Sequence, residues 1–429
     1  MLYDGFNYLL SLSFPAFVIM FWHFFLLELP RFVLAALTVS IVSVYQQVRS
    51  RGALPARPFL QPSVSVLLPG HNEAANLERS IMSMREQTCP PDQIVVVDDG
   101  SIDNTLTVAR RLQKAGLVDV VRSAGVRGGK SSAANLGLTR CTGDLIIIAD
   151  ADTTYDCDAF ERLIMPFSDP SVGAVAGNLG LRNPDHSLAT IWQAIQYQIS
   201  IGLGRQVSDM LGILFIVSGA FGAFRRKALV QCGGWSVGPG EDAELTNKIR
   251  RAGWKVRFAR NSWGLTDAPE TFSQLARQRL RWDRSLIRMR WRRFRVFMKP
   301  GDDAFHITNA LGTIDILFFQ AFLSFSFVIY LVWLVEVYGA FGWIIATVNL
   351  IAYSAFGVAG YALALLASPR KGMGRFWIYV FGYGLFNSVF LRAVRLYACF
   401  DELIFRHSFD DNYVPRRVRQ AARRAGDDL

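Results

Sequence analysis

Paired cysteines are missing from this chain. Its five, Cys89, Cys141, Cys157, Cys232 and Cys399, show no regular spacing, and His23, His71, His186, His306 and His407 are equally scattered. No disulfide frame and no zinc site is indicated, and a reducing, cytoplasmic working face fits. Charge is scarce as well: 19% of the 429 residues are charged against 51% hydrophobic and 13% aromatic, with a mean hydropathy of +0.23. A soluble enzyme with a charged surface sits lower, so the chain is not purely soluble. The start, Met1 to Asn7, lacks a basic cluster and no small-residue cleavage site follows the first apolar run, which argues against a signal peptide.

The charge that is present leans positive, 46 Lys and Arg against 35 Asp and Glu, a net +11. Nucleic acid, an anionic membrane surface and an anionic substrate all suit such a balance. Much of the excess lies in one run, where Arg277, Arg279, Arg281, Arg284, Arg288, Arg290, Arg292, Arg293 and Arg295 alternate with Leu280, Trp282, Leu286, Ile287, Trp291 and Phe294. That pattern predicts a helix at a lipid headgroup layer and favours membrane lipids over nucleic acid as partner.

The apolar residues gather at the two ends. Phe6 to Tyr45 is apolar except around Glu28-Leu29-Pro30-Arg31, a break that leaves stretches of about 22 and about 15 to 17 residues and predicts two N-terminal helices within 1–48. The basic, proline-bearing linker that follows, with Arg49, Arg51, Pro55, Arg57, Pro58 and Pro62, belongs in the cytoplasm by the positive-inside rule. Ala310 to Tyr338 and Phe341 to Ala367 read as two further spans within 305–405. A third segment, Phe376 to Phe405, carries Arg392 and Arg395 and precedes a basic tail, 406–429. A full crossing there would break the charge rule, so a crossing and an interfacial or re-entrant segment both stay open.

The middle alternates strand and helix. Val64 to Leu68 and Gln93 to Val97 are short β-branched runs around a helical stretch from Asn76 to Gln87, and strands follow at Val118 to Arg122, Leu145 to Ala149 and Val172 to Ala176. This predicts a mainly parallel nucleotide-binding sheet, with ligands at the carboxyl ends of its strands. Polar clusters fall there. Pro69-Gly70-His71-Asn72-Glu73 and Asp98-Asp99-Gly100-Ser101 each follow a strand; acids there can accept hydrogen bonds from a nucleoside, while Asp-Gly-Ser equally suits a plain turn. Arg127-Gly128-Gly129-Lys130 opens a helix and suits a diphosphate, although it lacks P-loop spacing. Asp150-Ala151-Asp152 can hold a hard divalent cation. Gly240-Glu241-Asp242 before a helix from Ala243 to Ala252 offers a general base or an N-cap. Gln278-Arg279-Leu280-Arg281-Trp282 lies in the basic run.

In order and spacing, with apolar helices on both sides, these clusters resemble the processive family 2 membrane glycosyltransferases: cellulose, hyaluronan, chitin and poly-N-acetylglucosamine synthases. Val217-Ser218-Gly219-Ala220-Phe221 and Arg225-Arg226-Lys227-Ala228-Leu229 are most similar to the poly-N-acetylglucosamine and chitin branch, whereas Gly240-Glu241-Asp242 with Leu245-Thr246-Asn247 resembles hyaluronan synthases. The resemblance implies an α/β GT-A-type nucleotide-sugar-binding domain over 60–270, interfacial helices over 271–300 and transmembrane helices on either side. It implies that His71, which stands where such enzymes often have Tyr or Phe, contacts uridine with Glu73 and Asp99. Lys130 would lie near the diphosphate, Asp150 and Asp152 would hold Mg2+ or Mn2+, Asp152 more directly, and Asp242 would be the base. Gln278, Arg281 and Trp282 would shape the acceptor site. The implied reaction is inverting and processive β-transfer from UDP-N-acetylglucosamine or UDP-glucose to a growing saccharide, in a multi-pass inner-membrane protein with a cytoplasmic catalytic domain and an accessory export subunit as a further partner. A single transfer to a lipid acceptor, as in ceramide glucosyltransferases, is the alternative, and an inactive nucleotide-binding scaffold a more remote one.

Overall fold

Local hydrophobic pattern accounts for the first four strands. In the computed structural model, which describes residues 7–8, 10–30, 33, 35–50, 62–236, 238–302, 305–367, 370, 372–410 and 415–420, β1 (Val64–Gly70), β2 (Gln93–Asp98), β3 (Val120–Ser123) and β4 (Leu145–Ala149) pair in parallel. The largely apolar runs of β1, β2 and β4 follow from burial on both faces, while β3, at the sheet edge, is half-buried to exposed. Val64, Val66, Leu68, Leu145 and Ile147 enter one core, while Leu67, Ile146 and Ile148 enter the other, as a period of two requires. Helix Lys130–Leu138 lies against the second face, and Gly137 sets its approach: a Cβ there would come within 2.2 Å of Leu67 Cδ1.

Beyond β4 the sheet stays mainly parallel but takes in reversed strands. β5 (Thr154–Tyr155), β6 (Val172–Leu181), β7 (Phe221–Arg225) and β8 (Lys255–Thr266) complete eight strands in the order β3-β2-β1-β4-β7-β6-β8-β5. β7 runs antiparallel between β4 and β6, β8 is parallel to β6, and β5 is antiparallel to β8, so the sheet is mixed. Phe221-Gly222-Ala223-Phe224-Arg225 carries little β-branched signal, and it is the neighbours on both sides that make it a strand. β6 also runs on to Leu181, past the expected end at Ala176.

The apolar ends are helical. Phe14–Met20, a π turn at His23–Glu28 and Ala35–Ser50 precede the sheet. The linker residues 51–61 and positions 411–414 and 421–429 of the tail lie outside the described residues. After the sheet, Ile307–Leu317 continues through a π turn, Phe318–Phe322, into Leu323–Tyr338. Two helices, Phe341–Ala367 and Met373–Phe405, are long and apolar enough to cross a membrane by length and composition. The charge inside the last of them has a protein partner: Arg392 Nη2 lies 2.7 Å from Glu28 Oε1, which also accepts from the Tyr353 hydroxyl at 2.8 Å.

The basic run, expected at a headgroup layer, gives much of its charge to protein partners. Its helix, Phe272–Arg288, continues as a π turn, Met289–Arg293, but most of its arginines turn inward. Arg290 is 1% exposed, Arg284 pairs with Asp401, Arg293 with Glu244, and Arg288 donates to the Pro239 carbonyl. Among the described arginines of the run, Arg277 and Arg295 are exposed. Carboxylates and carbonyls from distant elements take the guanidinium groups that a headgroup layer was expected to take.

Candidate active site

The parallel strands bring their polar ends together on one edge, with Gly70 opposite Asp98 in the register of β1 and β2. Asp98 closes the turn, accepting from the Ser101 amide at 3.0 Å and the Ser123 hydroxyl at 2.9 Å. Asp99, 3% exposed, has a different task. Its Oδ1 accepts from the Gly128 amide at 2.7 Å and its Oδ2 from the Gly129 amide at 2.8 Å. The turn and the glycine loop, separate in sequence, are thus one unit, and a Cβ on Gly100 (φ +64°) would strike the Arg127 amide nitrogen at 2.5 Å. His71 Nδ1 lies 3.0 Å from the Asp99 carbonyl oxygen.

Gly129 leads into Lys130, whose ammonium forms an ion pair with Asp150 and donates to the Gly219 carbonyl at 3.2 Å. Burial alone would depress this lysine, but Asp150, then Glu241 and Asp242, hold it charged well above the ordinary lysine range. The carboxylates are crowded. Burial, with Asp150 beside it, pushes Asp152 up, and burial, with Asp152, Asp150 and Asp103 nearby, pushes Glu73 up to about 7. Arg182 fastens the Asp152 segment, donating to the Asp152 carbonyl at 2.6 Å and to Leu265 at 2.8 Å.

Helix Glu241–Arg251 brings the last acids to the same place. Asp242 Oδ1 accepts from the Ala243 amide at 2.7 Å, and acids in this first turn suit the helix dipole. Gly219 is where the two sides meet: a Cβ on it would lie 2.9 Å from Lys130 Nζ and 3.9 Å from Asp242 Cβ. Burial first, then the Asp242 charge, pushes Glu241 up to about 7. Asp99, Lys130, Asp150 and Asp242 therefore form a continuous chain of neighbours, with Asp152 and Glu73 beside them.

Gln278, Arg281 and Trp282 stand on Phe272–Arg288, whose start is fixed by a capping box between Thr271 and Gln274. Trp282 is 36% exposed, with the Arg279 guanidinium 4.5 Å from its ring centre. Among the described residues no hydrogen bond or ion pair joins Gln278 or Trp282 to Asp150, Asp152 or Asp242. The connection runs through Ser285, whose Cβ would be 2.9 Å from a Cβ on Gly240. One residue of this region has no sequence pattern that marks it: Arg205, on helix Gly204–Met210, lies within electrostatic reach of Asp242, and burial depresses it to about 10. Gly219, in the Val217 to Phe221 run, admits the lysine. A shallow depression of about 630 Å³ lined by Ser171, Lys227 and Trp254 lies at the opposite end of β6 and β8.

Among the described residues no three His, Cys, Asp or Glu side chains could enclose a metal by themselves. An excess of half-buried carboxylate with two acids one residue apart nonetheless fits a hard cation that takes its remaining oxygens from a bound phosphate, the usual arrangement for Mg2+. Asp150 and Asp152 are the residues that would hold it.

The chain has recognisable relatives. The poly-beta-1,6-N-acetyl-D-glucosamine synthase of Staphylococcus aureus (strain COL) is 28% identical over 267 residues, 60% of this chain and 64% of that protein. The protein of the same name from Staphylococcus epidermidis is 29% identical over 287 residues, 65% of this chain and 64% of its own. The match thus spans somewhat less than two thirds of these relatives' length. In fold, a solved mannosyltransferase, PcManGT from Pyrobaculum calidifontis in complex with GDP-Man and Mn2+, matches with a TM-score of 0.58 at 19% identity, over 87% of this chain and 97% of that one. The family described as "Glycosyltransferase like family 2" matches residues 62–285, more than half of the sequence; the chain is a glycosyltransferase with a GT-A-like fold, and it belongs to family 2.

Proposed function

We propose that the protein is an inverting, processive membrane β-glycosyltransferase that uses UDP-N-acetylglucosamine or UDP-glucose to elongate a polysaccharide, with its catalytic domain, residues 60–270, on the cytoplasmic side of the inner membrane. The observation that carries this reading is the convergence of Asp99, Lys130, Asp150 and Asp242 at one strand edge. The named activity of the staphylococcal relatives supports an N-acetylglucosamine donor and a polysaccharide product.

In this mechanism His71, Glu73 and Asp99 bind the uridine side of the donor, Asp99 chiefly by holding the Gly128-Gly129 loop in shape. Lys130 faces the diphosphate. Asp242 accepts the proton of the acceptor hydroxyl through its Oδ2 as that oxygen attacks the anomeric carbon opposite the leaving UDP, so an α-linked donor gives a β-linked product. A divalent cation at Asp150 and Asp152, when bound, supplies charge neutralisation for the departing diphosphate. Gln278, Arg281 and the Trp282 ring hold the acceptor sugar, and the apolar helices after residue 305 carry the product away. The test is UDP release by purified protein given a panel of UDP-sugars with Mg2+ or Mn2+, with products sized by mass spectrometry. A saccharide ladder supports the reading; one sugar on an extracted lipid, or no release with any donor, overturns it.

A further inference from the structure

Helix Phe272–Arg288 has two occupied sides. At about 100° per residue, Gln278, Arg281, Trp282 and Ser285 share one face, and Ser285 turns that face toward Gly240, next to Glu241 and Asp242. Asp283 lies on roughly the opposite side, and Arg284 on the flank between the two. There Arg284 Nε is 2.6 Å from Asp401 Oδ2. Asp283, buried, lies within electrostatic reach of Arg395 and Arg279. Asp401 is 3% exposed and its other oxygen lies 2.8 Å from His407 Nδ1, while the Ser408 amide donates to Glu402 at 2.8 Å. The chain reverses between them at Arg406, a non-glycine residue with φ +57°, so the short helix His407–Asp410 closes over the end of Arg392–Phe405.

A buried carboxylate is a costly way to join two helices. Well-packed apolar residues hold such a junction as firmly or more firmly, so what an ion pair adds is a fixed register. Register matters here. A slip of one residue would rotate Trp282 by about 100° about the helix axis and move it about 1.5 Å along it, away from the side that Ser285 turns toward the base.

We propose that Asp401 is a positioning residue for the acceptor: through Arg284 it fixes the rotation and height of helix Phe272–Arg288, and so ties the last apolar helix to the side chains that receive the growing saccharide. This rests on the acceptor role proposed above for Gln278, Arg281 and Trp282. The donor side, built on Asp99, Lys130 and Asp150, does not depend on it.

The experiment uses the full chain in lipid nanodiscs, with UDP-N-acetylglucosamine as donor and N-acetylglucosamine oligosaccharides as acceptor. Asp401→Asn is expected to lower kcat/KM for the acceptor by about 10- to 100-fold, the scale of a misplacement near 1 Å, to shorten the products and to leave the affinity for UDP unchanged. Asp401→Glu restores most of the loss. The apolar pair Arg284→Met with Asp401→Leu keeps the fold and the melting temperature yet stays defective toward the acceptor, and it decides the matter if Asp401→Asn does not fold. Wild-type acceptor kinetics in the apolar pair, or a loss of UDP affinity equal to the loss of turnover, overturns the proposal. Hydrogen exchange over Phe272–Arg288 gives a readout free of chemistry: it rises in Asp401→Asn, and unchanged exchange sinks the inference even if no donor is turned over. A wild-type enzyme that releases no UDP with any UDP-sugar defeats the functional reading instead.

Discussion

At the scale of single residues, the acids of the site are distinguished by their surroundings. Asp99 has both oxygens occupied by backbone amides, whereas Asp242 Oδ2 accepts no hydrogen bond among the described residues. Asp242→Asn is therefore expected to cut transfer by about 10²- to 10⁴-fold while UDP binding, measured by calorimetry, stays near wild type; near wild-type turnover would refute its role as base. Glu73 shows a linkage effect. Burial raises its folded value to about 7 from an ordinary 4.5, so the folded state binds the extra proton. The stability this contributes is complete below the unfolded value and is lost as pH rises through 7. Melting of the metal-free protein should fall between pH 5 and pH 8, less steeply in Glu73→Gln, and the rise in melting temperature on adding Mn2+ should be larger at pH 8, where Glu73 beside the site is charged. An equal rise at both pH values would show that the Glu73 charge does not act on the cation.

At the scale of elements, the start of the Asp242 helix meets the Ser285 side of the Trp282 helix at a glycine. Gly240 has φ +76°, and a Cβ on it would press on Ser285. Gly240→Ala combines left-handed backbone strain of about 1–2 kcal/mol with that clash, and is expected to lower both the melting temperature and kcat. Adding Ser285→Gly should recover the steric part alone, so full recovery would show that the backbone there is unstrained. Much of this region was legible in the sequence. The strand ends, the glycine loop and the Gly240 turn are announced by apolar runs stopping at Gly and Asp. Strand β7 was not, because Phe-Gly-Ala-Phe-Arg becomes extended only by pairing with β4 and β6. The composition of the basic run points to a headgroup-binding surface, while the partners that draw Arg284, Arg290 and Arg293 inward come from helices 43 to 117 residues away in sequence.

At the scale of the whole molecule, the two ends of the chain are held by a buried pair. Glu28 and Arg392 meet among apolar helices with Tyr353 as a third member. Removing one partner leaves an unpaired charge, so Arg392→Met should cost about 3–5 kcal/mol, seen as a large fall in melting temperature in detergent. The double variant Glu28→Gln with Arg392→Met should recover most of it. A single variant as stable as wild type would mean that the pair does not hold the ends together.

By itself the sequence determined what depends on near neighbours: apolar segments at both ends, a β-α-β pattern in the middle, and the kind of side chain that each strand presents at its end. Hydrophobic periodicity and turn chemistry act over a few residues, and a reader of the chain has those residues in view. The tertiary structure alone decided the antiparallel insertion of β7, the grip of Asp99 on the glycine loop, the approach of Arg205 to Asp242, and the inward pairing of Arg284 and Arg392. Each of these is a choice of partner for a charge or a hydrogen-bonding group, and a partner is selected by who is close in space after folding, which no local pattern encodes.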